Sequence, residues 1–373
     1  MIYLDNSATS GFKPECVKRA AVSCMEHLSA NAGRSGHKKS VAAAMLVYRT
    51  RGKLADFVGC DGQIAFTGSC TEALNLAILG SVVYGGHVIT TVYEHNSVLR
   101  PLHELSAAGR ITLSVAKPDE NGRIGFDEIR RHIRGNTYLV AVTGASNVTG
   151  ARPDIEGIAK GIKGSKIKLL VDGAQSIGYI PVDMKKTGID YLAVAPHKGL
   201  HALQGVGALC MAKGALPRPV KFGGTGTQST SLLQPSEPPE CYESGTLPLV
   251  AIASLNRALD WTEKNFDGNA AKLRTLQKRL LDSLKEIDGI DVKSGENDSG
   301  IVAFAPKNAS SEEVCDALDA KYDIAARGGL HCAPLMHKYL GTLESGIVRL
   351  SVGCDNTKSD MDETARAIRE IVK

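Results

Sequence analysis

The sequence predicts an α/β protein with a mostly parallel central sheet in a large domain and a smaller α+β domain beside it. Three observations carry this. The chain has 373 residues, more than one core usually supports, so two domains are expected. From about residue 60 to residue 211, short apolar strands alternate with helical stretches. That pattern belongs to a sheet covered on both faces by crossover helices. Beyond residue 250, apolar residues recur at helical spacing instead. The large domain is placed at residues 15–254, and the smaller one at residues 1–14 with 255–373.

The elements follow in order. The opening Met1-Ile-Tyr-Leu-Asp5 reads as a strand with no basic stretch ahead of it, so no leader is expected. Gln63 to Phe66 is a strand, then residues 70–79 a helix. Residues 86–91 form a strand and 95–107 a helix. Residues 138–142 are a strand, 154–162 a helix, and 168–171 a strand. Residues 191–195 and 206–211 complete the series. Residues 214–248 are rich in Gly, Pro, Ser and Thr and read as a long loop, a feature that is usually functional in a compact domain. Leu273, Leu276, Leu280, Leu284 and Ile287 share one helix face. Met361, Ala365, Ile368 and Val372 mark a last helix, with Thr357 to Asp360 as its N-terminal cap.

Composition narrows the function. Hydrophobic residues are 43% and charged residues 23% of the chain, which fits a soluble globular protein. The net charge of +4 is spread among both signs without a block of like charges, so nucleic-acid binding gains no support. No apolar run approaches the ~18 residues of a membrane span. The nine cysteines are scattered and include no C-x-x-C pair. Neither a disulfide framework nor a metal site is expected, and a reducing cytoplasm is the simplest setting.

Two residues point to a chemistry. Lys198 lies just past the strand Tyr191-Leu-Ala-Val, in Ala195-Pro-His-Lys-Gly199. Asp172 ends the strand Lys168-Leu-Leu-Val-Asp172. An amine and a carboxylate at neighbouring strand ends suit pyridoxal phosphate (PLP). The amine forms a Schiff base, and the carboxylate keeps the pyridine nitrogen protonated. Ligands of such sheets bind outside the carboxyl ends of the strands. The strand, small-residue turn and helix start of Phe66-Thr-Gly-Ser-Cys-Thr-Glu-Ala73 can seat the phosphate, although many such turns hold nothing. His95 either stacks on the cofactor ring or simply caps a helix. Asn147 either bonds the ring hydroxyl or the substrate, or only makes a turn.

Taken together, these stretches resemble class V (fold-type I) PLP enzymes of the cysteine desulfurase and selenocysteine lyase branch. Further matching segments are Tyr3-Leu-Asp-Asn-Ser-Ala8, Asn31-Ala-Gly-Arg-Ser-Gly-His37, Val171-Asp-Gly-Ala-Gln-Ser176, Glu243-Ser-Gly-Thr-Leu-Pro248, Arg327-Gly-Gly-Leu-His-Cys-Ala-Pro334 and Val348-Arg-Leu-Ser351. They run in family order over nearly the whole chain. The resemblance implies that Lys198 carries PLP and moves protons, Asp172 pairs with the pyridine nitrogen, and His95 stacks on the ring. It implies that Gln175 bonds the ring hydroxyl with Asn147 nearby. Cys70, Thr71 and His197 would bind the phosphate, and Thr246 would reach the phosphate of a second subunit, making a homodimer. Arg349 would grip the substrate carboxylate, a task suited to guanidinium. Cys332 would be the nucleophile that takes sulfur as a persulfide, with Arg327 and His331 as cations depressing its pKa.

The nucleophile follows directly from Arg327-Gly-Gly-Leu-His331, as in the short-loop, Suf-like group. There a buried cysteine often hands sulfur to a partner protein. Two departures stand out. Ala195 occupies the position of a usual Ser or Thr, removing a phosphate hydrogen bond on the order of 1–3 kcal/mol. Ala202-Leu203 replace the usual Gly-Pro, next to an unusual His201. The resemblance implies a cysteine desulfurase acting on L-cysteine. A selenocysteine lyase acting on L-selenocysteine uses the same residues, and another class V aminotransferase or lyase, or a non-catalytic PLP-binding scaffold, are the remaining readings.

Overall fold

The computed structural model describes residues 1–33 and 35–373; Arg34, in the Asn31–His37 motif, lies outside the described residues. The chain opens with strand β1 (Ile2–Tyr3) and helices α1 (Glu15–His27) and α2 (Lys38–Val58). The alternating region then runs β2 (Gln63–Thr67), α3 (Cys70–Gly80), β3 (Gly86–Thr91), α4 (Asn96–Ala107), β4 (Ile111–Ala116), α5 (Phe126–Arg130) and β5 (Thr137–Thr143). It continues with α6 (Ile155–Ile162), β6 (Lys168–Asp172), α7 (Met184–Thr187), β7 (Tyr191–Val194) and β8 (Gly207–Met211). Residues 212–248 contain no helix or strand, as their composition predicts. The remainder comprises α8 (Leu249–Lys285), β9 (Ile290–Val292), β10 (Ile301–Pro306), α9 (Ser311–Tyr322), β11 (Ile324–Ala325), α10 (Pro334–Leu340), β12 (Val348–Ser351) and α11 (Lys358–Ile371).

Seven strands form the central sheet in the order β2-β8-β7-β6-β5-β3-β4. All neighbours from β7 to β4 are parallel, while β8 runs antiparallel to both β7 and β2. Alternate residues of each strand face opposite sides. Ile64, Phe66, Val140, Val142, Leu169, Val171, Leu192 and Val194 enter a core completed by α2, α6 and the start of α8. Ala65, Leu139, Ala141, Leu170, Tyr191 and Ala193 enter another, covered by α3 and α4. The inner strands are buried on both faces and are largely apolar, while the edge strand β4 leaves Thr112 exposed.

A third core joins the second half of α8 (Leu273, Leu276, Leu280, Leu284) to β10, β12, α9 and α11. There β10 pairs antiparallel with β9 and β12. Helix α8 is a single rod of 37 residues, about 55 Å long. It runs unbroken through the 254/255 boundary expected from sequence. Strand β1 pairs in parallel with β11, bringing the first residues onto the C-terminal half. Among the described residues, no helix is long and apolar enough to cross a membrane.

Candidate active site

The register of the sheet lines up three strand ends: Thr143 opposes Asp172, and Asp172 opposes Ala193. At this row a cavity of about 110 Å³ opens. Eight of the residues singled out from sequence line it: Cys70, Thr71, His95, Asn147, Asp172, Gln175, His197 and Lys198. Ser69, Ser97, Thr143 and Ala195 complete much of the wall.

Lys198 reaches the cavity from a turn closed by its own N–H on the Ala195 carbonyl at 3.2 Å. Burial pushes its amine below the ordinary lysine range, against the opposing pull of Asp172. The preceding carbonyl, that of His197, is a crowded acceptor. It receives the Ser10 N–H at 3.1 Å, the Ser10 hydroxyl at 3.0 Å, the Thr9 hydroxyl at 3.2 Å and the Lys13 ammonium at 3.2 Å. The segment after β1 therefore clamps the peptide that leads into Lys198. Lys13 has no carboxylate partner among the described residues, and burial lowers its pKa to about 8. His197 is lowered to about 4 by burial and by Lys198, and its Nδ1 lies 3.1 Å from the Thr9 hydroxyl. The altered stretch after the lysine is firmly packed. His201 adopts φ 60°, bonds the Phe12 carbonyl through Nδ1 at 3.2 Å and meets Trp261 edge-on. The Leu203 N–H donates to Ser254.

Asp172 accepts the Ala174 N–H at 3.0 Å on Oδ1. The Cys70 thiol lies 3.7 Å from the same oxygen; burial, then Asp172, push that thiol well up, so it stays protonated. The first turn of α3 presents main-chain N–H groups that the helix itself does not use. Ser69 caps this helix, accepting from the Glu72 N–H. His95 is the N-cap of α4, its Nδ1 accepting the Ser97 N–H at 3.0 Å. The capping reading and the cavity-lining reading thus hold for one ring. Gln175 donates from Nε2 to the Ser7 carbonyl at 3.0 Å.

Cys332 and Arg349 do not line the cavity: Arg349 bonds the lining residue Asn147, and Cys332 bonds Asn96, which lies between the lining residues His95 and Ser97. The Asn96 N–H, at the start of α4, donates to the Cys332 carbonyl at 2.7 Å. The Asn147 amide donates to the His331 carbonyl at 2.7 Å. His331 and Cys332 have φ of 49° and 57°, two consecutive left-handed residues without glycine, a costly conformation held by these contacts. Cys332 is exposed, which corrects the buried setting that the short-loop resemblance implies. His331 is not the expected cation either. Burial and then the charge of Arg349 drive its pKa down to about 2, and its Nε2 lies 3.0 Å from the Ile347 carbonyl.

Arg349 is 1% exposed. It donates from Nη1 to the Asn147 carbonyl at 3.0 Å and from Nη2 to Asp5 at 2.8 Å. Its Nε has no partner among the described residues. Asp5 therefore fixes the guanidinium together with the Asn147 carbonyl, a contact that sequence reasoning missed although Asp5 lies in a matched segment. Thr246 is exposed on the 212–248 stretch and does not line the cavity. Glu243 anchors that stretch by accepting the Phe66 N–H and pairing with Arg51 at 2.7 Å.

A parallel sheet with a lysine and an aspartate at adjacent strand ends, beside a helix N-terminus, defines the fold-type I architecture. The chain belongs to the class-V aminotransferase family, whose sequence model, Aminotransferase class-V, matches residues 2–364; its members are pyridoxal phosphate enzymes. A probable cysteine desulfurase of Pyrococcus abyssi is 31% identical over 100% of this chain and 94% of its own length. Among solved structures, the apo cysteine desulfurase of Thermococcus onnurineus superposes with a TM-score of 0.92 at 30% identity, covering 100% of this chain and 94% of its own. The cysteine desulfurase CsdA of Escherichia coli gives 0.89 at 25% identity, covering 99% and 94%.

Proposed function

We propose that this protein is a PLP-dependent cysteine desulfurase. It converts L-cysteine and the Cys332 thiol into L-alanine and a Cys332 persulfide. The observation that carries this reading is an exposed cysteine on a strained turn, tied by Asn96 and Asn147 to the rim of a cavity holding Lys198 and Asp172.

The residues fit the cofactor. Asn147 lines the cavity and keeps a buried Oδ1 without a partner among the described residues. Asp172 offers a carboxylate, and the start of α3 offers N–H groups with the Thr71 hydroxyl. In this reading Cys70, Thr71 and His197 hold the phosphate, Gln175 and Asn147 face the ring hydroxyl, His95 stacks, and Asp172 meets the pyridine nitrogen. When bound, PLP supplies an electron sink for the substrate's Cα.

The chain's own residues do the rest. Lys198, its amine depressed by burial, is suited to take and return a proton at Cα and Cβ. Arg349, its guanidinium held by Asp5, orients the substrate carboxylate. Cys332 attacks the substrate sulfur: the S–S bond forms, the Cβ–S bond breaks, and Cβ gains a proton as alanine is completed. Solvent exposure of Cys332 leaves the persulfide open to a sulfur-acceptor protein. We further propose that residues 15–254 form the larger domain, that two copies form a homodimer with Thr246 completing the neighbouring phosphate site, and that the protein works in the reducing cytoplasm.

The test is anaerobic turnover of L-cysteine with PLP and reductant. Equimolar alanine and sulfide are expected, both lost in C332A. Alanine formation persisting in C332A would overturn the role of Cys332. Turnover of L-selenocysteine alone would make the protein a selenocysteine lyase.

A further inference from the structure

A continuous chain of polar groups lies along one wall of the cavity. Thr71 Oγ1 is 2.8 Å from Ser97 Oγ, and Ser97 Oγ is 2.9 Å from His95 Nδ1. The same Nδ1 receives the main-chain N–H of Ser97 at 3.0 Å. A main-chain N–H can only donate, so Nδ1 carries a lone pair and the proton of the neutral ring sits on Nε2. Burial holds the ring below its ordinary pKa, which favours that neutral form.

The capping of α4 is satisfied by the ring and the main chain. The Ser97 hydroxyl is not needed for it. Its proton has two destinations, His95 Nδ1 and Thr71 Oγ1, and which it takes depends on Thr71. With no anion at the start of α3, Thr71 donates to Ser97 and Ser97 donates to His95. With an anion there, Thr71 turns its proton to the anion and accepts from Ser97. Nδ1 then keeps only the main-chain donor. Ala195, also lining the cavity, has no hydroxyl to offer the anion.

We propose that Ser97 is a positioning residue that couples the phosphate seat at Thr71 to the imidazole of His95. An anion at Thr71 reverses the hydroxyl chain and removes one hydrogen bond from Nδ1. That loosens the ring at the moment it must settle on a bound cofactor. The inference rests on the cofactor-site reading above, but its readout does not need turnover.

Apo protein labelled with ¹⁵N-histidine is titrated with inorganic phosphate, following the His95 Nδ1 resonance by NMR and phosphate binding by calorimetry. In the wild type, phosphate shifts that resonance. In S97A the shift is expected to collapse while phosphate binds only about threefold more weakly, as loss of one neutral hydrogen bond implies. S97T restores the shift by restoring the hydroxyl. An S97A response equal to wild type, with phosphate bound in both, overturns this inference alone. Wild-type protein that binds neither phosphate nor PLP removes the seat itself, and the cofactor reading falls with the inference.

Discussion

Glu94, next to His95, is the most deeply placed carboxyl at the site. Its Oε1 accepts the Thr91 hydroxyl at 2.6 Å and the Thr143 N–H at 3.0 Å. Its Oε2 has no partner among the described residues. It bridges the ends of β3 and β5, beyond their last ladder pair at Ile89 and Val140. Burial raises its pKa from 4.5 to about 8, so the folded protein holds this proton more tightly than the unfolded chain does. The stabilisation is therefore full below 4.5 and is lost as pH rises through about 8. Glutamine keeps the acceptor without the charge. The Tm of E94Q minus that of wild type should grow steadily across that window, and a difference independent of pH would refute the assignment. Lys198 and Asp172 were legible from sequence because each lies at a strand end in a local motif. Asp5 and Lys13 were not. Asp5 acts on Arg349, 344 residues away, and Lys13 acts on the carbonyl of His197, and no local pattern encodes such contacts.

The inner strands and the helices between them were readable because those strands bury both faces, whereas the edge strand β4, with Thr112 exposed, was not read. Strand direction was not. β8 has the same apolar composition as its parallel neighbours, yet it runs antiparallel to β7, from which residues 195–206 return it without a crossover helix. The cap of α11 was readable: Thr357 accepts the Asp360 N–H, and Asp360 accepts that of Thr357. The full length of α8 was not, since Asn265, Gly268 and Asn269 interrupt its apolar stripe midway. Gly268 sits inside the helix, and a Cβ there would meet no atom within 4 Å. G268A should therefore stabilise the protein by about 0.5–1 kcal/mol, measured as a higher denaturant midpoint with an unchanged m-value. A loss of stability would mean that the midpoint of α8 is not helical in solution.

Phe222, Leu232 and Leu233 project from the 212–248 stretch at 72%, 103% and 81% exposure. The same stretch is anchored by Glu243 and carries Thr246. Apolar side chains this open suit a protein partner, and the homodimer proposed above supplies one. The double variant L232D/L233D should halve the mass seen by light scattering while preserving the circular dichroism spectrum. An unchanged mass would locate the subunit contact elsewhere. A change from strand to helix spacing was visible in the sequence, but α8 gives its two halves to different cores, which no boundary residue could announce. The pairing of β1 with β11, and of Asp5 with Arg349, also bears on how the protein is made. Residues 2–7 are translated more than 300 residues ahead of their partners at 323–325 and 349–351. The clamp on Lys198 has its own acceptor at His197, but the strand that positions it waits for residues 324–325. A chain synthesised only as far as residue 320 therefore carries the lysine and the aspartate without the β1–β11 pairing or the contact of Asp5 with Arg349.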